Sequence, residues 1–380
     1  MTTKLYENEQ DLFAFSATVR SCTPREGGYS VLLDRTAFFP TEGGQGADHG
    51  TLGGVQVTDV ILEGDELCHV TDSPLAVGET VEGVLDPVRR RRHMQVHTGE
   101  HILSGVLHTL FGATNVGFHL GDTEVTLDLD LMLSPEQLAL AEETANRAVF
   151  ENRDVRILYP SPSELPGLSY RAKLALTEGV RLVEIEGVDL CACCAPHVAS
   201  TGECGLIKIV SHMKYKGGTR LSIAVGADAL ADYRSKQENV HAISVALSVP
   251  EGEAAAGVDR LLATLAEERG TVSALRAALR AERLSSLGDG DAVLSYPDLD
   301  PTALRLYAEE GAAHTSGTVL VLLPGDGACR YAMASRTCDV KARAAALHAH
   351  LGGRGGGHPM LVQGSFAADA DAVRAAFSEL

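Results

Sequence analysis

The sequence predicts an α+β protein of several domains: a small N-terminal β-barrel, an α/β metal-binding domain, a helical linker with coiled-coil character and a C-terminal α/β domain. Short apolar runs separated by Gly, Pro, Asn and Asp fill the first 88 residues, as in small barrels. Helical and strand periodicities mix after that, and a heptad-like run of apolar residues interrupts them. A chain of 380 residues is long enough for two or three domains. We place the boundaries at 1–88, 89–238, 239–288 and 289–380.

The N-terminal segment contains five predicted strands, which we place at 13–20, 29–34, 55–62, 67–71 and 80–85. Residues 36–50 contain too many glycines for a regular strand. Because glycines let a ligand approach the backbone, the side chains of Thr36 and Gln45 are candidates for contacting one. A plain hairpin loop is the alternative. The stretch lacks the lysine of a phosphate-binding loop, which argues against a nucleotide site.

Two histidines four residues apart, His97 and His101, lie at the start of an apolar helical pattern that we expect to end near Gly112. Side chains at i and i+4 lie on one face of a helix, so both imidazoles can bind one metal ion. A lone histidine is usually a buried core residue. For two histidines at this spacing, metal binding and a core role are about equally favoured. Glu100 lies between them, and we expect it to hydrogen-bond a ligand or water, or to act as a base.

A second pair with the same spacing, Cys193 and His197, follows in a later segment. Two histidines from a helix with a cysteine and a histidine from elsewhere suit Zn2+ in number and softness. Cys191 and Cys194 are rival ligands, so the choice of Cys193 depends on the spacing. The predicted Zn2+ ligands are His97, His101, Cys193 and His197.

Residues 97–101 also fit the H-x-x-E-H signature of a class of zinc metalloproteases, in which the glutamate is the general base. In that interpretation the Cys193 and His197 pair has no role, and a small barrel ahead of the helix is unusual. A metalloprotease is therefore the rival hypothesis.

The formal net charge of −19 argues against a nucleic-acid partner unless positive charge is concentrated locally. Two basic runs flank the predicted metal site. The first comprises residues 89–92, and the second contains Lys208, Lys214, Lys216 and Arg220. A single basic run is usually a solvated surface, but two runs beside one site favour an anionic substrate.

No run of about eighteen apolar residues occurs, and the N-terminus has no apolar signal core, so we expect neither a membrane span nor secretion. The 8 cysteines do not form a disulfide framework, and four of them crowd into residues 191–204. This suits metal or thiol chemistry in a reducing compartment, so we expect a cytoplasmic protein.

The central part of the chain predicts further elements. Residues 117–129 alternate like one strand, and Ser134 caps a helix that runs to about residue 153. A short helix begins at residues 170–173. The segments 205–210 and 219–225 predict a hairpin.

The C-terminal part carries two patterns of interest. Apolar residues at 3–4 spacing over 255–287 predict a helix that pairs either with a second chain, as a homodimer, or with its own domain. Residues 352–360 are rich in glycine and predict a loop whose N–H groups could hold an anion, with Arg354 and His358 adding charge. A flexible tip is the alternative there.

The two spaced pairs, followed by Thr201-Gly202-Glu203, resemble the editing domain of alanyl-tRNA synthetase and the freestanding alanyl-tRNA editing proteins, the AlaX family. The segments 38–40 and 43–45 resemble the N-terminal barrel motif of that family. Residues 353–360, with Gln363-Gly364, resemble the DHHA1 domain of the long AlaX proteins. The sequence departs from the family where Cys194 and Ala195 replace the usual glycines between Cys193 and His197.

The resemblance implies a hydrolase that removes serine from mischarged tRNA(Ala) in trans, with glycine as an open second amino acid. It implies no ligation activity, since the synthetase's aminoacylation region does not occur in this chain. It implies Zn2+ at the four ligands above. A non-enzymatic, zinc-containing tRNA-binding module is the third hypothesis.

We expect Gln45 and Thr36 to contact the amino acid, because a serine hydroxyl can bond to an amide or hydroxyl, and a polar group left unpaired costs about 1–3 kcal/mol. With Glu100 they form the candidate catalytic set. The candidate tRNA-binding residues are Arg91, Arg92, Lys208, Arg220, Arg354 and His358.

Overall fold

A computed structural model describes residues 2–172 and 179–380. The protein is a mixed α+β protein with several sheets, which confirms the predicted class. It divides into two compact units, residues 1–243 and 244–380. The division into four domains stays a prediction.

The first unit begins with a closed barrel of six strands in the order β2-β3-β7-β6-β5-β8. Buried apolar side chains such as Phe15, Val31 and Leu33 fill it. The five strands expected from the sequence are present. Three further short strands, β1, β4 and β5, were not predicted. The strands of this part are β1 (Thr3–Lys4), β2 (Ala14–Arg25), β3 (Gly28–Leu33), β4 (Arg35–Thr36), β5 (Gly50–Leu52), β6 (Val55–Glu63), β7 (Glu66–Thr71) and β8 (Thr80–Leu85).

The glycine-rich stretch between β4 and β5 forms no regular strand, as expected. It contains an isolated antiparallel bridge between Glu42 and Gln45. Gln45 also bridges to Leu120, and the Leu120 N–H donates to the Gly44 carbonyl at 2.7 Å. A Cβ on Gly44 would lie 2.1 Å from the Phe118 carbonyl oxygen, so only glycine permits this approach. The loop is therefore held against residues 118–120.

The α/β part of this unit surrounds a long helix, α1 (Pro87–Phe111). Asp86 caps its start by accepting hydrogen bonds from the Val88 and Arg89 N–H groups, and Gly112 ends it at φ 70°. The predicted end is therefore confirmed. The other elements are β9 (Asn115–Leu120), β10 (Val125–Leu129), α2 (Pro135–Phe150), β11 (Val155–Leu158), β12 (Leu182–Ile185), β13 (Asp189–Ala192), β14 (Ile207–Tyr215), β15 (Gly218–Val225) and α3 (Ala227–Leu247).

Two sheets pack with α1. One has four strands in the order β14-β15-β10-β9, and the other has three in the order β11-β12-β13. The capping box at Ser134 and the hairpin of β14 and β15 are confirmed. The single strand expected over 117–129 is wrong, because residues 121–124 turn the chain between β9 and β10. The short helix expected at 170–173 is wrong at its start, since Arg171 bridges to Cys191, and Lys173 lies outside the described residues.

The second unit contains one five-stranded sheet in the order β16-β17-β18-β20-β19. The expected loop over 352–360 is wrong, because residues 353–358 form the exposed edge strand β19, which pairs with β20. Because glycine has no side chain, β19 can approach β20 closely. A Cβ on Gly357 would lie 2.1 Å from the Leu361 carbonyl oxygen. The elements are α4 (Ala254–Ser285), β16 (Ala292–Ser295), α5 (Leu304–Gly311), β17 (Thr318–Gly325), β18 (Ala328–Ser335), α6 (Val340–Leu351), β19 (Gly353–His358), β20 (Leu361–Phe366) and α7 (Ala370–Ser378).

Within the described residues, no helix is both long enough and apolar enough to cross a membrane.

Candidate metal centre

Four side chains of the first unit converge at one point. One potential ligand atom from each lies within 4.8 Å of the others, and three of the four side chains are buried. His97 and His101 come from adjacent turns of α1, and their ring centroids are 5.4 Å apart. Cys193 and His197 come from the segment after β13. The members are His97, His101, Cys193 and His197.

The distances in this cluster fit a tetrahedral metal ion. The Cys193 Sγ lies 3.6 Å from His97 Nε2 and 3.4 Å from His197 Nε2. Bond lengths of about 2.0 Å to nitrogen and 2.3 Å to sulfur at tetrahedral angles separate N and S by roughly 3.6 Å. Three imidazoles and a thiolate are also the donor types that Zn2+ prefers. The residues present therefore fit a zinc ion.

Each imidazole is oriented by a different oxygen. His97 Nδ1 lies 2.8 Å from the Gln45 Oε1, and His197 Nδ1 lies 3.0 Å from the Thr98 Oγ1. His101 Nδ1 lies 3.2 Å from the Asp189 Oδ2. An amide or carboxylate oxygen can only accept, so the Nδ1 of His97 and of His101 carries the proton. Their Nε2 lone pairs are then free to coordinate a metal.

The partner of His101 belongs to an ion pair. Arg171 Nε and Nη2 each lie 2.7 Å from an oxygen of the Asp189 carboxylate, whose side chain is 2% exposed. Burial alone would raise the pKa of Asp189, but Arg171 and His101 outweigh it and lower the pKa. The carboxylate is therefore ionised and can hold the His101 imidazole by a charge-assisted hydrogen bond.

Of the three neighbouring cysteines, Cys193 has the surroundings of a ligand. Burial alone would raise its pKa, but the imidazoles of His97 and His197 hold the pKa of the thiol well below its usual range. Burial instead raises the pKa of Cys194 to about 12. Cys191 belongs to a different group, with His101 and Asp189, and is not part of the four-residue cluster. This geometry favours Cys193 as the thiolate ligand.

The three candidate catalytic residues lie in different surroundings. Gln45 is 1% exposed and reaches the cluster through His97, and its Nε2 has no hydrogen-bond partner among the described residues. Thr36 is fully buried; its Oγ1 lies 2.7 Å from His69 Nε2 and accepts from the Phe38 N–H. Glu100 accepts hydrogen bonds from Ser104 and, at 2.8 Å, from Asn115 Nδ2. Only Gln45 touches a predicted ligand directly.

Four of the candidate tRNA-binding residues already have acidic partners. Their N–O distances are 2.6 to 2.9 Å, in the pairs Arg91–Glu203, Arg92–Asp228, Lys208–Glu142 and Arg220–Asp128. In the second unit, Arg354 and His358 lie on the exposed strand β19. No ion pair involves either of them within the described part of the chain, and their contact with tRNA stays a prediction.

Sequence reasoning found Gln45 but missed three other residues that support the ligands: Asp189, Arg171 and Thr98. Asp189 had a usable signal, since it is an acidic residue four positions before Cys193 in an otherwise apolar run. Thr98 follows His97 directly in the sequence, but nothing in the sequence shows that it is fully buried and lies against His197. No sequence pattern identifies Arg171 as the partner of Asp189, because the two residues meet through an isolated bridge between residues 171 and 191.

Comparison with known proteins identifies the type of domain. Residues 180–222 match the family described as the threonyl and alanyl tRNA synthetase second additional domain. The chain is 32% identical to an alanine–tRNA ligase of Natronomonas pharaonis, over 94% of this chain and 40% of the ligase. It is 30% identical to the alanyl-tRNA editing protein Aarsd1 of Danio rerio, over 66% of this chain and 65% of that protein.

The chain thus covers between about a third and two thirds of the first relatives it matches. A further relative is covered more fully. Over 79% of this chain and 74% of the relative, the identity to the alanyl-tRNA editing protein Aarsd1-B of Xenopus laevis is 31%. The chain belongs to the alanyl-tRNA editing protein family.

Proposed function

We propose that this protein is an aminoacyl-tRNA hydrolase that removes serine from mischarged tRNA(Ala), with glycine as a second substrate, at a zinc site formed by the four-residue cluster. The observation that carries the proposal is the convergence of His97, His101, Cys193 and His197 with a separate oxygen behind each imidazole. Family membership supports editing of alanyl-type tRNA as the reaction in general.

The four side chains would hold the zinc ion through three Nε2 atoms and one thiolate sulfur. When bound, zinc supplies either a Lewis acid, if one donor is weak, or a fixed positive charge that positions the tRNA end. The protein's own contribution is orientation, because the oxygens of Gln45, Asp189 and Thr98 fix how each ring faces the centre.

The Nε2 of Gln45 is a buried donor beside His97 that has no partner in the described part of the chain, and it can bond to a carbonyl or hydroxyl oxygen of the substrate. For Thr36 the hydrogen-bond pattern limits its role. His69 Nδ1 faces the Val31 carbonyl at 3.1 Å, so His69 Nε2 is an acceptor and the Thr36 hydroxyl donates to it. Thr36 can therefore only accept, which suits a seryl hydroxyl and offers nothing to alanine.

Glu100 remains a candidate base only if it turns from its present partners, Ser104 and Asn115. A role in holding the start of β9 against α1 accounts for those contacts. This arrangement gives no support to a protease, where the glutamate would face the metal.

The experiment that tests the proposal compares release of serine from Ser-tRNA(Ala) with release of alanine from Ala-tRNA(Ala). We expect serine to be released and alanine to be spared, and the Thr36→Val variant to lose part of that preference. Zinc binding without cleavage of either ester would contradict the proposal. Turnover of casein would then indicate a protease, and its absence a tRNA-binding module.

A further inference from the structure

The hairpin of β14 and β15 lies at the edge of the four-stranded sheet in the first unit. β14 is the outer strand, and residues 210–214 are exposed in an unbroken run. Met213 is 60% exposed. An exposed stretch of this length on an edge strand is a surface available to a partner.

The tip of this hairpin carries positive charge that no acidic side chain of the described residues neutralises. Lys214 and Lys216 are exposed, and neither makes an ion pair within the described ranges. Lys208 and Arg220, further down the same hairpin, are paired with Glu142 and Asp128. The net charge of the protein is −19, so two such lysines close together at one hairpin tip form a local patch of positive charge.

The turn itself places one lysine in an unfavourable backbone conformation. Lys216 and Gly217 form the two-residue loop, with φ values of 46° and 89°. Loops with two positive φ angles favour Asn or Gly at the first position, where a long side chain is disfavoured. Lys216 therefore adopts this conformation at a free-energy cost, which we attribute to a use of its charge.

An aromatic ring accompanies the charge. The Arg220 guanidinium lies 3.7 Å from the Tyr215 ring centroid, and the Lys216 Nζ lies 5.0 Å from it. Cationic side chains around an aromatic ring are typical of surfaces that bind a nucleic-acid backbone.

The hairpin connects this surface to the metal centre. Its inner end, Val225, packs so closely on α1 that a Cβ on Gly99 would lie 2.7 Å from a Val225 methyl. β15 has 8 residues, which places the tip roughly 24 Å along the strand from that contact. A substrate with its 3′ end near this part of α1 must therefore extend over a comparable length to reach the tip, as the body of a tRNA would.

We propose that the tip of the β14–β15 hairpin, with Lys214 and Lys216 as its charged residues and Tyr215 beside them, binds the RNA backbone of the aminoacyl-tRNA upstream of the esterified ribose. This inference rests on the proposed function, and it names the surface by which the RNA body is held.

The test uses the full chain and the double variant Lys214→Ala/Lys216→Ala. In deacylation of Ser-tRNA(Ala), the KM should rise roughly ten-fold and kcat should not change. The plot of the logarithm of the tRNA-binding constant against the logarithm of the salt concentration should become less steep by about two units of slope. Hydrolysis of a 3′-seryl ester of adenosine, which has no RNA body, should not change. The control Arg147→Ala/Lys236→Ala removes two paired, exposed charges from the same unit and should leave KM unaltered.

An unchanged KM in the hairpin variant, or an equal rise in the control, would overturn the inference. Binding of uncharged tRNA separates the two proposals. If wild type cleaves no ester but binds tRNA through the hairpin, the hairpin assignment stands and the hydrolase assignment fails. If wild type binds no tRNA, both fail.

Discussion

At the scale of single residues, the metal centre depends on side chains that are not themselves ligands. Each of the three histidines is held at Nδ1 by a different kind of oxygen: an amide, a carboxylate and a hydroxyl. These partners fix the tautomer and the ring orientation, and their loss usually weakens metal affinity.

The contact between Gln45 and His97 gives the first prediction. Gln45→Leu removes the acceptor at His97 Nδ1, and we expect zinc affinity to fall about 10–100-fold. Gln45→Glu keeps an acceptor oxygen and should bind zinc within a few-fold of wild type. Competition with a chelator measures both. Equal affinity in wild type and the leucine variant would show that His97 needs no such partner.

His69 gives a prediction about pH. Burial lowers the pKa of His69 to about 4, below its usual 6.5, so the folded state holds the ring neutral. A depressed histidine contributes stability that is complete above about pH 6.5 and is lost as pH falls toward 4. The shift corresponds to about 3 kcal/mol.

We therefore expect the stability difference between wild type and His69→Gln to change by about 3 kcal/mol between pH 7 and pH 4, in the variant's favour at low pH. Urea unfolding at both values measures it, and comparison with the variant cancels the titration of carboxylates common to both. A difference that is constant with pH would contradict this role.

The sequence predicted residues with a periodic or chemical signature, and it missed those placed by tertiary contacts. His97 and His101 share a helix, so their spacing alone indicates a common face. Cys193 was ambiguous with Cys191 and Cys194 because all three lie within four residues, and only the fold distinguishes them. Arg171 could not be predicted, because its partner is fixed by a bridge between distant segments.

At the scale of elements, α1 connects the barrel to the α/β part of the first unit. The Arg90 guanidinium is fully buried near the helix start, and its Nε lies 3.0 Å from the Asp48 carboxylate in the barrel loop. The same guanidinium donates to the Ala37 carbonyl. The ion pair therefore fixes the helix against the loop that carries Gln45.

We predict that Asp48→Ala destabilises the protein by about 3–5 kcal/mol, because it leaves a buried guanidinium without its counter-ion. Arg91→Ala, at the next position of the helix, removes the ion pair between Arg91 and Glu203, whose side chains are 42% and 36% exposed. This variant should lower the free energy of unfolding by about 1 kcal/mol or less. Denaturant unfolding compares them. Equal costs for the two variants would contradict the importance of the buried pair.

Elements with strong periodicity were predicted well, and elements defined by pairing were not. The segment 121–124 was predicted as part of one strand because Leu120 and Val125 flank it, yet it forms the turn of a hairpin. Residues 353–358 read as a loop because they are mostly glycine, yet they pair along their whole length with β20. In both cases the hydrogen bonds come from a partner strand, and the sequence of one strand does not show which segment it pairs with.

At the scale of the whole molecule, the distribution of charge matters more than its sum. All four arginines of the run at 89–92 face a carboxylate within 2.9 Å, so the run is not a free basic surface. In this protein of net charge −19, the arginines of the run form ion pairs with carboxylates of the same chain. The unneutralised lysines of the first unit's hairpin are then the better candidates for RNA contact.

The exposed face of α4 gives a prediction about assembly. Val258, Leu261, Leu265, Val272, Leu275 and Leu279 follow heptad spacing and are 38–65% exposed. We expect a homodimer through residues 255–287, and Leu261→Lys/Leu265→Lys should make the protein monomeric. Light scattering coupled to size-exclusion chromatography measures the mass. Leu306→Lys, at an exposed leucine outside α4, is the control, and a monomeric wild type would contradict the prediction.

The central claim is that the cluster of three histidines and Cys193 binds zinc and that this zinc supports serine release. The most direct measurement follows zinc content and Ser-tRNA(Ala) deacylation together, in wild type and His101→Ala, as zinc is removed by a chelator and then restored. We predict one zinc per chain in wild type, activity that falls and returns with it, and a variant that lacks both. Full deacylation by zinc-free wild type, or a variant that keeps its zinc and loses no activity, would contradict the claim.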